Sequence, residues 1–363
     1  LYVAWTDAEL ELLEPLLQSA RAEAGTGEAP QLLSAAELRE EEPGLGVHAR
    51  GALFIPGEIV VDPGLVPVAY AVDAVRHSAV VHEETEVISA KRCGKGGPWK
   101  LRLRARGGLA SPCDTMTVSA QHLVNCGGLD ADGIQALGEQ KLERATDGNL
   151  CFRPRRGDYV IFRDPTRTAN QLGDSPAAAP LQRPIGAVPT PLARGVYVWA
   201  TMHGDVVCGP TNVEQSEKFL PMAENSTLDA LRAKALEVCP GLHSWQVVAH
   251  YAGLRPALNA SVWGTDYVIR TCGESAWTVV AGIRSTGLTA SLGIAATVAD
   301  EVVPYLRKGQ QASLPPVLPT SRTEVLPALP SIPEMRRRFA QRGDGSLDIA
   351  GRTWRVSHPQ TLL

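Results

Sequence analysis

Apolar residues recur every three to four positions in several segments of the chain, which is the spacing of one face of an α-helix. After Thr6, for example, Leu10, Leu13 and Leu17 share one face, and the Thr6 hydroxyl is placed to cap the first turn. The same spacing predicts helices over residues 6–24, 35–43, 62–77, 132–137, 226–238, 288–303 and 335–341. Pro304 is expected to end the helix over 288–303.

Shorter segments that are wholly apolar, or that alternate apolar and polar residues, predict β-strands. One pair of strands is expected to turn at Pro56-Gly57. The predicted strands span residues 51–61, 79–82, 86–91, 99–104, 116–119, 122–125, 159–162, 195–201, 206–209, 247–252, 266–270 and 277–281. Because helices and strands are mixed along the chain, the predicted fold class is α/β, or mixed α+β.

The C-terminal residues have a different composition. Residues 307–333 are rich in proline and are expected to form an extended linker. Residues 334–363 form a basic tail, with a hairpin predicted across Ala350-Gly351. We expect Arg336-Arg337-Arg338 to lie on a solvated helix face, the alternative being contact with nucleic acid or anionic lipid.

Composition excludes several classes of protein. The 363 residues are enough for about two domains, and 35 Lys+Arg against 39 Asp+Glu give a net charge of −4, which provides no broad positive field for nucleic acid. No run of about 20 apolar residues is present to form a transmembrane segment. The seven scattered cysteines contain no Cys-x-x-Cys pair and the eight histidines show no ligand spacing, so no metal site is predicted. The cysteines favour a reducing, intracellular location, cytoplasmic or mitochondrial.

Two predicted strands end in glycine turns of the kind that admits a ligand. The strand over 122–125 continues into Cys126-Gly127-Gly128, where paired glycines let a ligand approach the backbone. The strand over 277–281 breaks at Gly282, and a helix begins after Gly287. The first N–H groups of that helix, with its positive dipole end, suit negative charge.

A third segment, over residues 250–256, places an arginine at a turn. Arg255 follows a predicted strand and precedes Pro256, and its planar fork suits a carboxylate or a phosphate. In the same segment His250 is a candidate proton acceptor, with Tyr251 beside it as a second candidate catalytic residue. The alternative for His250 is a purely structural role in the strand.

The order of these segments resembles the FAD-dependent oxidoreductases of the D-amino-acid-oxidase superfamily. The likeness runs from Leu1 to about Leu306 and is greatest to the branch of glycerol-3-phosphate dehydrogenase and L-2-hydroxyglutarate dehydrogenase. It is carried by the glycine segments above and by residues 51–56, 61–63, 85–87, 153–159 and 204–211. The resemblance implies an incomplete Rossmann-like FAD-binding domain in 1–150 and 272–306, interleaved with segments of an antiparallel-sheet substrate domain, which lies mainly in 151–271.

The same resemblance implies roles for individual residues. Glu86 and Val87 would lie by the adenine half of FAD, and Cys126, Gly127 and Gly128 would approach the dinucleotide. The flavin's pyrimidine edge would be wrapped by Gly282, Ile283, Ser285, Thr286, Gly287, Leu288 and Thr289. Arg255 would hold the anionic end of the substrate.

The reaction implied is hydride transfer from a small anionic hydroxy substrate, such as glycerol 3-phosphate or a 2-hydroxy acid, to FAD, with an unknown electron acceptor. The chain departs from the family pattern at its start, because the G-x-G-x-x-G fingerprint is absent. We therefore expect an N-terminally incomplete chain that by itself binds FAD poorly or not at all. Two alternatives are an amine or amino-acid oxidase on the same scaffold and a non-catalytic remnant.

Overall fold

The computed structural model describes residues 1–106 except 24, 26 and 95, and residues 115–138, 149–166, 180–189, 195–219, 223–264, 266–308 and 329–362. Strands in these ranges are β1 (Tyr2–Ala4), β2 (Gln31–Ser34), β3 (Gly51–Phe54), β4 (Thr85–Arg92), β5 (Trp99–Ala105), β6 (Thr115–Ala120), β7 (Leu123–Asn125), β8 (Arg155–Arg163), β9 (Ile185–Ala187), β10 (Tyr197–Ala200), β11 (Val206–Gly209), β12 (Val213–Glu214), β13 (Gln246–Arg255), β14 (Val268–Cys272), β15 (Trp277–Ala281), β16 (Ser346–Ile349) and β17 (Arg352–Arg355).

Helices in the same ranges are α1 (Asp7–Glu11), α2 (Leu13–Glu23), α3 (Ala35–Glu41), α4 (Leu65–Arg76), α5 (Ala131–Leu137), α6 (Asn225–Val238), α7 (Ala260–Trp263), α8 (Gly287–Lys308), α9 (Ile332–Arg342) and α10 (Pro359–Leu362). Short 3₁₀ helices cover Gly128–Asp130 and Pro240–Ser244. The predicted mixture of helices and strands is confirmed.

Nine strands form one mixed sheet, in the order β2-β3-β1-β9-β10-β11-β8, with β12 beside the start of β8 and β13 along its other edge. Among the strand pairs of this sheet, β1–β9 is parallel and the others are antiparallel. β8 and β13 form a long antiparallel ribbon, in which Tyr251 lies opposite Tyr159 and Arg255 opposite Arg155. One face of the sheet packs against α3 and α6 in the largest apolar core, which includes Val160, Phe162, Val198, Leu38, Leu231 and Leu242.

A second sheet has the order β14-β15-β7, and its β7 and β15 are parallel. The antiparallel meander β4-β5-β6 forms a third sheet. The two are joined by Trp99 of β5 and Trp277 of β15, whose buried rings lie 5.2 Å apart. Helix α5, which follows β7, packs at the same junction through Ile134 and Leu137.

The C-terminal unit (residues 331–362) consists of α9, the β16–β17 hairpin and α10. The hairpin turns at Ala350 and Gly351, which have φ values of 54° and 75°, as the sequence predicted. The unit is packed on α4, with a core formed by Leu65, Val68, Val72, Met335, Phe339, Leu347, Ile349, Trp354 and Val356. The basic tail is therefore part of the folded body.

Arg336 corrects the prediction of a solvated arginine face. Its side chain is buried, and its Nη1 donates to the Thr361 carbonyl at 2.9 Å and lies 3.6 Å from Asp62 Oδ2. Arg337 and Arg338 do lie at the surface, where both pair with Glu334. The three consecutive arginines of α9 thus divide their charge between the core and the solvent.

Three predicted elements differ in the structure. The helix expected over 6–24 is divided at Leu12, because Pro15 cannot donate a hydrogen bond and its ring conflicts with the carbonyl four residues earlier. Only the first half of the strand pair over 51–61 forms, as β3. Residues 79–82 form no strand; they follow the end of α4, where Ser78 adopts a φ of 71°.

Helix α8 corrects the prediction that Pro304 ends the helix. It continues to Lys308 with Pro304 inside it. Its last turns are held by a tertiary contact, because the Tyr305 ring stacks on His122 at 6.4 Å and fits over Gly273, where a Cβ would lie 2.2 Å from the ring. Packing therefore outweighs the lost hydrogen bond.

Most of the linker predicted over 307–333 lies outside the described residues. Among the described residues, no helix has the length and apolar character required to cross a membrane. Over the same ranges, no group of three or more His, Cys, Asp or Glu side chains is arranged to hold a metal ion.

Candidate active site

The two predicted glycine turns lie side by side at the carboxyl edge of the second sheet. β7 and β15 run parallel, with Asn125 opposite Val279, so the turns after Asn125 and after Ala281 leave the sheet at the same edge. In open α/β sheets this edge is where ligands bind. The structure thus brings Cys126, Gly127 and Gly128 together with Gly282 and the residues that follow it.

The turn after β7 is fixed by Asn125. Its side chain donates to the Ala131 carbonyl at 2.8 Å and accepts from the Gly127 N–H at 3.1 Å. A Cβ on Gly127 would lie 2.5 Å from Ile134 Cδ1, so this position is closed by packing. Gly128, by contrast, has a φ of 58°, and a Cβ there would meet no atom of the described chain within 4 Å. The backbone at Gly128 is open at the carboxyl edge.

The turn after β15 leads directly into α8. Gly282 has a φ of 70°, and the Thr286 hydroxyl is hydrogen-bonded to the Tyr267 hydroxyl beside the start of β14. Ile283, Ser285 and Thr286 form the turn, and Gly287, Leu288 and Thr289 form the first turn of the helix. The first N–H groups of a helix have no partner within it and carry its positive dipole end. A site for negative charge therefore adjoins Gly282.

Glu86, on β4, is held by two arginines. Its Oε2 lies 2.6 Å from Arg104 Nη2, and its Oε1 lies 2.8 Å from Arg106 Nη2. Hydrogen bonds from Arg106 and Arg104 lower the pKa of Glu86 to about 2. Arg106 also interacts electrostatically with Asp130, just after Gly128, so Glu86 lies near the first glycine turn. Val87 is the next residue of β4 and is half-buried.

An aromatic face lies on the large sheet, on the side opposite α6. Tyr159 and Tyr251 stack with centroids 4.6 Å apart and planes 6° apart, and Trp199 meets Tyr159 edge-on at 6.3 Å. These rings are half-buried. Gly209 makes room for them, because a Cβ there would lie 2.5 Å from Tyr159 Cδ1. The result is a cluster of three packed aromatic rings on this side of the sheet, which we call the aromatic face (Tyr159, Trp199 and Tyr251).

Arg255 lies at the end of β13, on the same side of the sheet as Tyr251. Its Nη2 donates to the Thr211 carbonyl at 3.3 Å and its Nη1 to the Arg155 carbonyl at 3.4 Å, and it interacts electrostatically with Tyr159. Burial lowers its pKa from the ordinary value of 12.5. Within the described ranges it forms no ion pair with a carboxylate. A half-buried guanidinium with donors left over suits an incoming anion.

Gly157 makes the position of Arg255 possible. A Cβ on Gly157 would lie 2.7 Å from Arg255 Nη2 and 2.9 Å from Pro210 Cβ. Gly253, its partner across the β8–β13 ribbon, has open space at the same position. The guanidinium therefore lies over the strand that pairs with its own.

His250 does not belong to this arrangement. Side chains alternate between the two faces of a strand, and His250 pairs with Val160 while Tyr251 pairs with Tyr159. His250 is exposed on the side opposite to Tyr251 and Arg255. The structure brings Tyr251 and Arg255 together and places His250 elsewhere, because the alternation of the strand separates neighbours.

The aromatic face and the carboxyl edge are connected by the turn after Arg255. Leu258 packs against Gly282, where a Cβ would lie 3.1 Å from Leu258 Cδ1. Leu258 follows Arg255 by three residues, which can span at most about 11 Å. Leu258 also shares an apolar cluster with Ala131, Phe152, Val268 and Val279. A segment of three residues therefore joins Arg255 to Leu258, the residue that contacts Gly282.

The sequence did not identify Tyr159 or the C-terminal unit as parts of the candidate site. Gln360 Nε2 donates to the Tyr251 hydroxyl at 2.6 Å, and the His358 ring meets the Tyr251 ring edge-on at 5.5 Å. Tyr159 could have been found from the strand pattern, since it shares a face with Gly157. Nothing in the sequence near Gln360 points to Tyr251, which lies 109 residues away.

Comparison with known proteins gives one family. The DAO family, described as FAD dependent oxidoreductase, matches residues 1–301. A glycerol 3-phosphate dehydrogenase of Caloramator mitchellensis is 24% identical over 301 residues, which is 83% of this chain and 55% of that protein. The chain thus spans about half the length of this curated relative.

Solved structures of the same fold include two oxidases. The L-α-glycerophosphate oxidase of Mycoplasma pneumoniae, reduced and with FAD bound, has a TM-score of 0.64 at 23% identity, over 84% of this chain and 72% of that one. Glycine oxidase of Bacillus cereus also has a TM-score of 0.64, at 19% identity and the same coverage. The predicted resemblance is confirmed: the chain belongs to the DAO family of FAD-dependent oxidoreductases.

Proposed function

We propose that this protein oxidises a small anionic hydroxy substrate, with glycerol 3-phosphate favoured over a 2-hydroxy acid. The observation that carries this proposal is Arg255, a half-buried guanidinium beside the aromatic face that forms no ion pair among the described residues. Burial of a cation without a carboxylate partner is costly, and an anionic substrate would offset that cost. The relative named glycerol 3-phosphate dehydrogenase supports the choice of substrate.

The residues at the carboxyl edge fit FAD. Gly128 leaves open space where a side chain would project, and the first turn of α8 presents N–H groups beside Gly282. We assign contact with the dinucleotide to Cys126, Gly127 and Gly128, with Glu86 and Val87 on the adenine side, and contact with the flavin to Gly282, Ile283, Ser285, Thr286, Gly287, Leu288 and Thr289. When bound, FAD supplies the acceptor of the hydride.

Arg255 and the tyrosines would hold the substrate. The guanidinium binds the phosphate or carboxylate through its free N–H donors. Burial raises the pKa of Tyr159 and of Tyr251, so both phenols stay protonated at neutral pH and act as hydrogen-bond donors rather than as bases. Fixing the anionic end orients the carbon–hydrogen bond to be broken, an effect that is worth up to about 7–11 kcal/mol in well-oriented systems.

The aromatic face would exclude water from the reaction. Tyr159, Trp199 and Tyr251 cover this part of the sheet with packed aromatic rings, next to the polar group that Arg255 supplies. An apolar wall with few convergent polar groups is typical of a small-molecule site. Exclusion of water strengthens the ion pair with the substrate.

The second candidate is oxidation of an amine or amino acid. Glycine oxidase and glycerophosphate oxidase have the same TM-score to this chain, so likeness of fold favours neither. Arg255 would bind an amino-acid carboxylate by the same donors. A non-catalytic remnant is the third candidate and predicts that no substrate reduces the flavin.

The test is anaerobic reduction of the flavin in the full-length protein. Glycerol 3-phosphate is added under anaerobic conditions, with 2-hydroxyglutarate and sarcosine as comparison substrates. We expect glycerol 3-phosphate to bleach the visible flavin absorbance. Bleaching by sarcosine alone would establish the amine oxidase, and no bleaching by any of them would contradict the proposal.

A further inference from the structure

We propose that Gln360, in the C-terminal unit, is a positioning residue of the substrate site, acting on Arg255 through Tyr251 and Tyr159. This inference rests on the proposed function. It extends the site to a unit that lies outside residues 1–301, which the family matches.

The first step is the contact with Tyr251. Gln360 Nε2 donates to the Tyr251 hydroxyl at 2.6 Å, and the His358 ring meets the Tyr251 ring edge-on. Tyr251 is thus fixed by a hydrogen bond at its hydroxyl and by the contact of its ring with His358. Both contacts come from one short segment, so that segment fixes the orientation of the Tyr251 ring.

The second step runs from Tyr251 to the anion site. The Tyr251 ring stacks on Tyr159 with planes 6° apart, and Tyr159 interacts electrostatically with Arg255, whose guanidinium lies over Gly157 of the same strand. A tilt of Tyr251 therefore moves the ring that supports Arg255. The effect of Gln360 on the substrate is indirect, since Gln360 itself has no contact with Arg255 among its described hydrogen bonds.

The third step is the attachment of the segment itself. Thr361, next to Gln360, is buried; its hydroxyl donates to Asp62 Oδ1 at 2.5 Å, and its carbonyl accepts from Arg336. Asp62 in turn accepts from the N–H groups of Gly64 and Leu65 and contacts His203 at 2.7 Å. This buried junction ties the C-terminal unit, the start of α4 and the β10–β11 turn together, so the position of Gln360 is determined by the fold.

The experiment uses the full-length protein labelled with 3-fluorotyrosine; the 363 residues of this chain contain seven tyrosines. The fluorine resonance of Tyr251 is assigned by its loss in Tyr251→Phe, and that of Tyr159 by its loss in Tyr159→Phe. Gln360→Ala is compared with Ser357→Ala, a matched control at an exposed position of the same segment. Urea unfolding midpoints establish that each variant is folded. We expect Gln360→Ala to shift both resonances and Ser357→Ala to shift neither.

The same variants are then tested for KM and kcat with glycerol 3-phosphate. We expect Gln360→Ala to raise KM roughly fivefold, the effect of one lost hydrogen bond, with a smaller change in kcat. In the Tyr251→Phe background, Gln360→Ala should have no further effect on KM, because its partner hydroxyl is gone. If Gln360 had only a structural role, Gln360→Ala would raise KM in the Tyr251→Phe background as well.

The outcomes separate the two proposals. If the wild-type protein turns over none of the tested substrates, the proposed function is wrong, and this inference falls with it. Suppose that wild type turns over glycerol 3-phosphate, but that Gln360→Ala leaves KM unchanged or leaves the two fluorine resonances unchanged. The proposed function then stands and the role of Gln360 is wrong. An equal rise of KM with and without the Tyr251 hydroxyl would also overturn that role.

Discussion

Tyr159 and Tyr251 stack almost parallel across the β8–β13 ribbon, 4.6 Å apart, and Tyr159 interacts electrostatically with Arg255. This relationship places a cation beside a cluster of packed aromatic rings. The turn after Arg255 packs against Gly282, at the carboxyl edge of the second sheet. The anion site and the glycine turns therefore belong to one region of the molecule.

Loss of Arg255 should weaken substrate binding more than it slows turnover. Arg255→Ala removes a charge-assisted partner, which is worth about 1.5–3 kcal/mol, so KM should rise roughly 10- to 100-fold. Steady-state kinetics with glycerol 3-phosphate provide the measurement. The control is Arg270→Ala, at an exposed position of β14, and equal kinetic effects of the two substitutions would remove Arg255 from the anion site.

Two paired glycines should respond differently to the same substitution. Gly157→Ala places a Cβ 2.7 Å from Arg255 Nη2, whereas Gly253→Ala meets nothing within 4 Å. We expect Gly157→Ala to displace the guanidinium, to raise KM and to cost about 1–3 kcal/mol of unfolding free energy. Gly253→Ala should change both quantities little. The measurements are KM and urea unfolding, and similar values for the two variants would show that Arg255 does not depend on the space above Gly157.

The strand pattern predicted much of the site because it constrains the backbone directly. Apolar strands that end in glycine, such as the one before Gly127 and the one before Gly282, can be parallel neighbours, and here they are. The separation of His250 from Arg255 was also implicit, since residues five apart in a strand lie on opposite faces. The structure places His250 on the face opposite to Arg255, which agrees with the alternative that His250 has a structural role in the strand.

What the sequence could not predict depends on tertiary contacts between distant residues. Thr361 meets Asp62 across 299 residues and Gln360 meets Tyr251 across 109. Neither contact produces a periodic pattern in the sequence, because each joins a turn or the end of a helix to a distant element. The same holds for Pro304, where packing of Tyr305 on His122 keeps the helix intact. Local propensity is overridden where tertiary packing contributes more.

The buried carboxylate of Asp62 should be essential for stability. Burial alone raises its pKa, but hydrogen bonds from His203, Thr361 and Leu65 lower it to about 2. Asp62→Ala should lower the free energy of unfolding by about 3 kcal/mol or more, because the buried donors that it accepts from lose their partner. Urea unfolding measures this loss. The control is Asp7→Ala, which removes an exposed carboxylate paired with Arg50. It should lower the free energy of unfolding by less than about 1 kcal/mol. Equal losses in the two variants would show that the buried carboxylate of Asp62 is not essential for stability.

The same group predicts a dependence of stability on acid pH. A carboxyl whose pKa is lower in the folded than in the unfolded state contributes stability that is present above its unfolded value, 3.8, and is lost as pH falls toward about 2. Wild type should therefore lose stability over this window more steeply than Asp62→Ala. Parallel pH profiles of the two proteins, measured by urea unfolding, would refute this prediction.

Substitution of Gly282 should weaken cofactor binding. Gly282 has a φ of 70° and Gly264 a φ of 74°, and a Cβ would meet Leu258 at 3.1 Å in the first case and nothing in the second. Alanine at either position should cost about 1–3 kcal/mol of stability through backbone strain. Only Gly282→Ala should raise the dissociation constant for FAD in the full-length protein, as measured by flavin fluorescence. A comparable rise in Gly264→Ala would show that strain, rather than position, is responsible.

The central claim is that Arg255 and the glycine turns enclose a single site, shared by FAD and an anionic substrate. Its most direct test is the visible difference spectrum of the bound flavin when glycerol 2-phosphate, an anion lacking the reactive arrangement, is titrated into the full-length protein. We expect a saturable spectral change in wild type and in Arg270→Ala, and a dissociation constant at least about tenfold higher in Arg255→Ala. Unchanged affinity in Arg255→Ala, or binding detected by calorimetry without any change in the flavin spectrum, would contradict the claim.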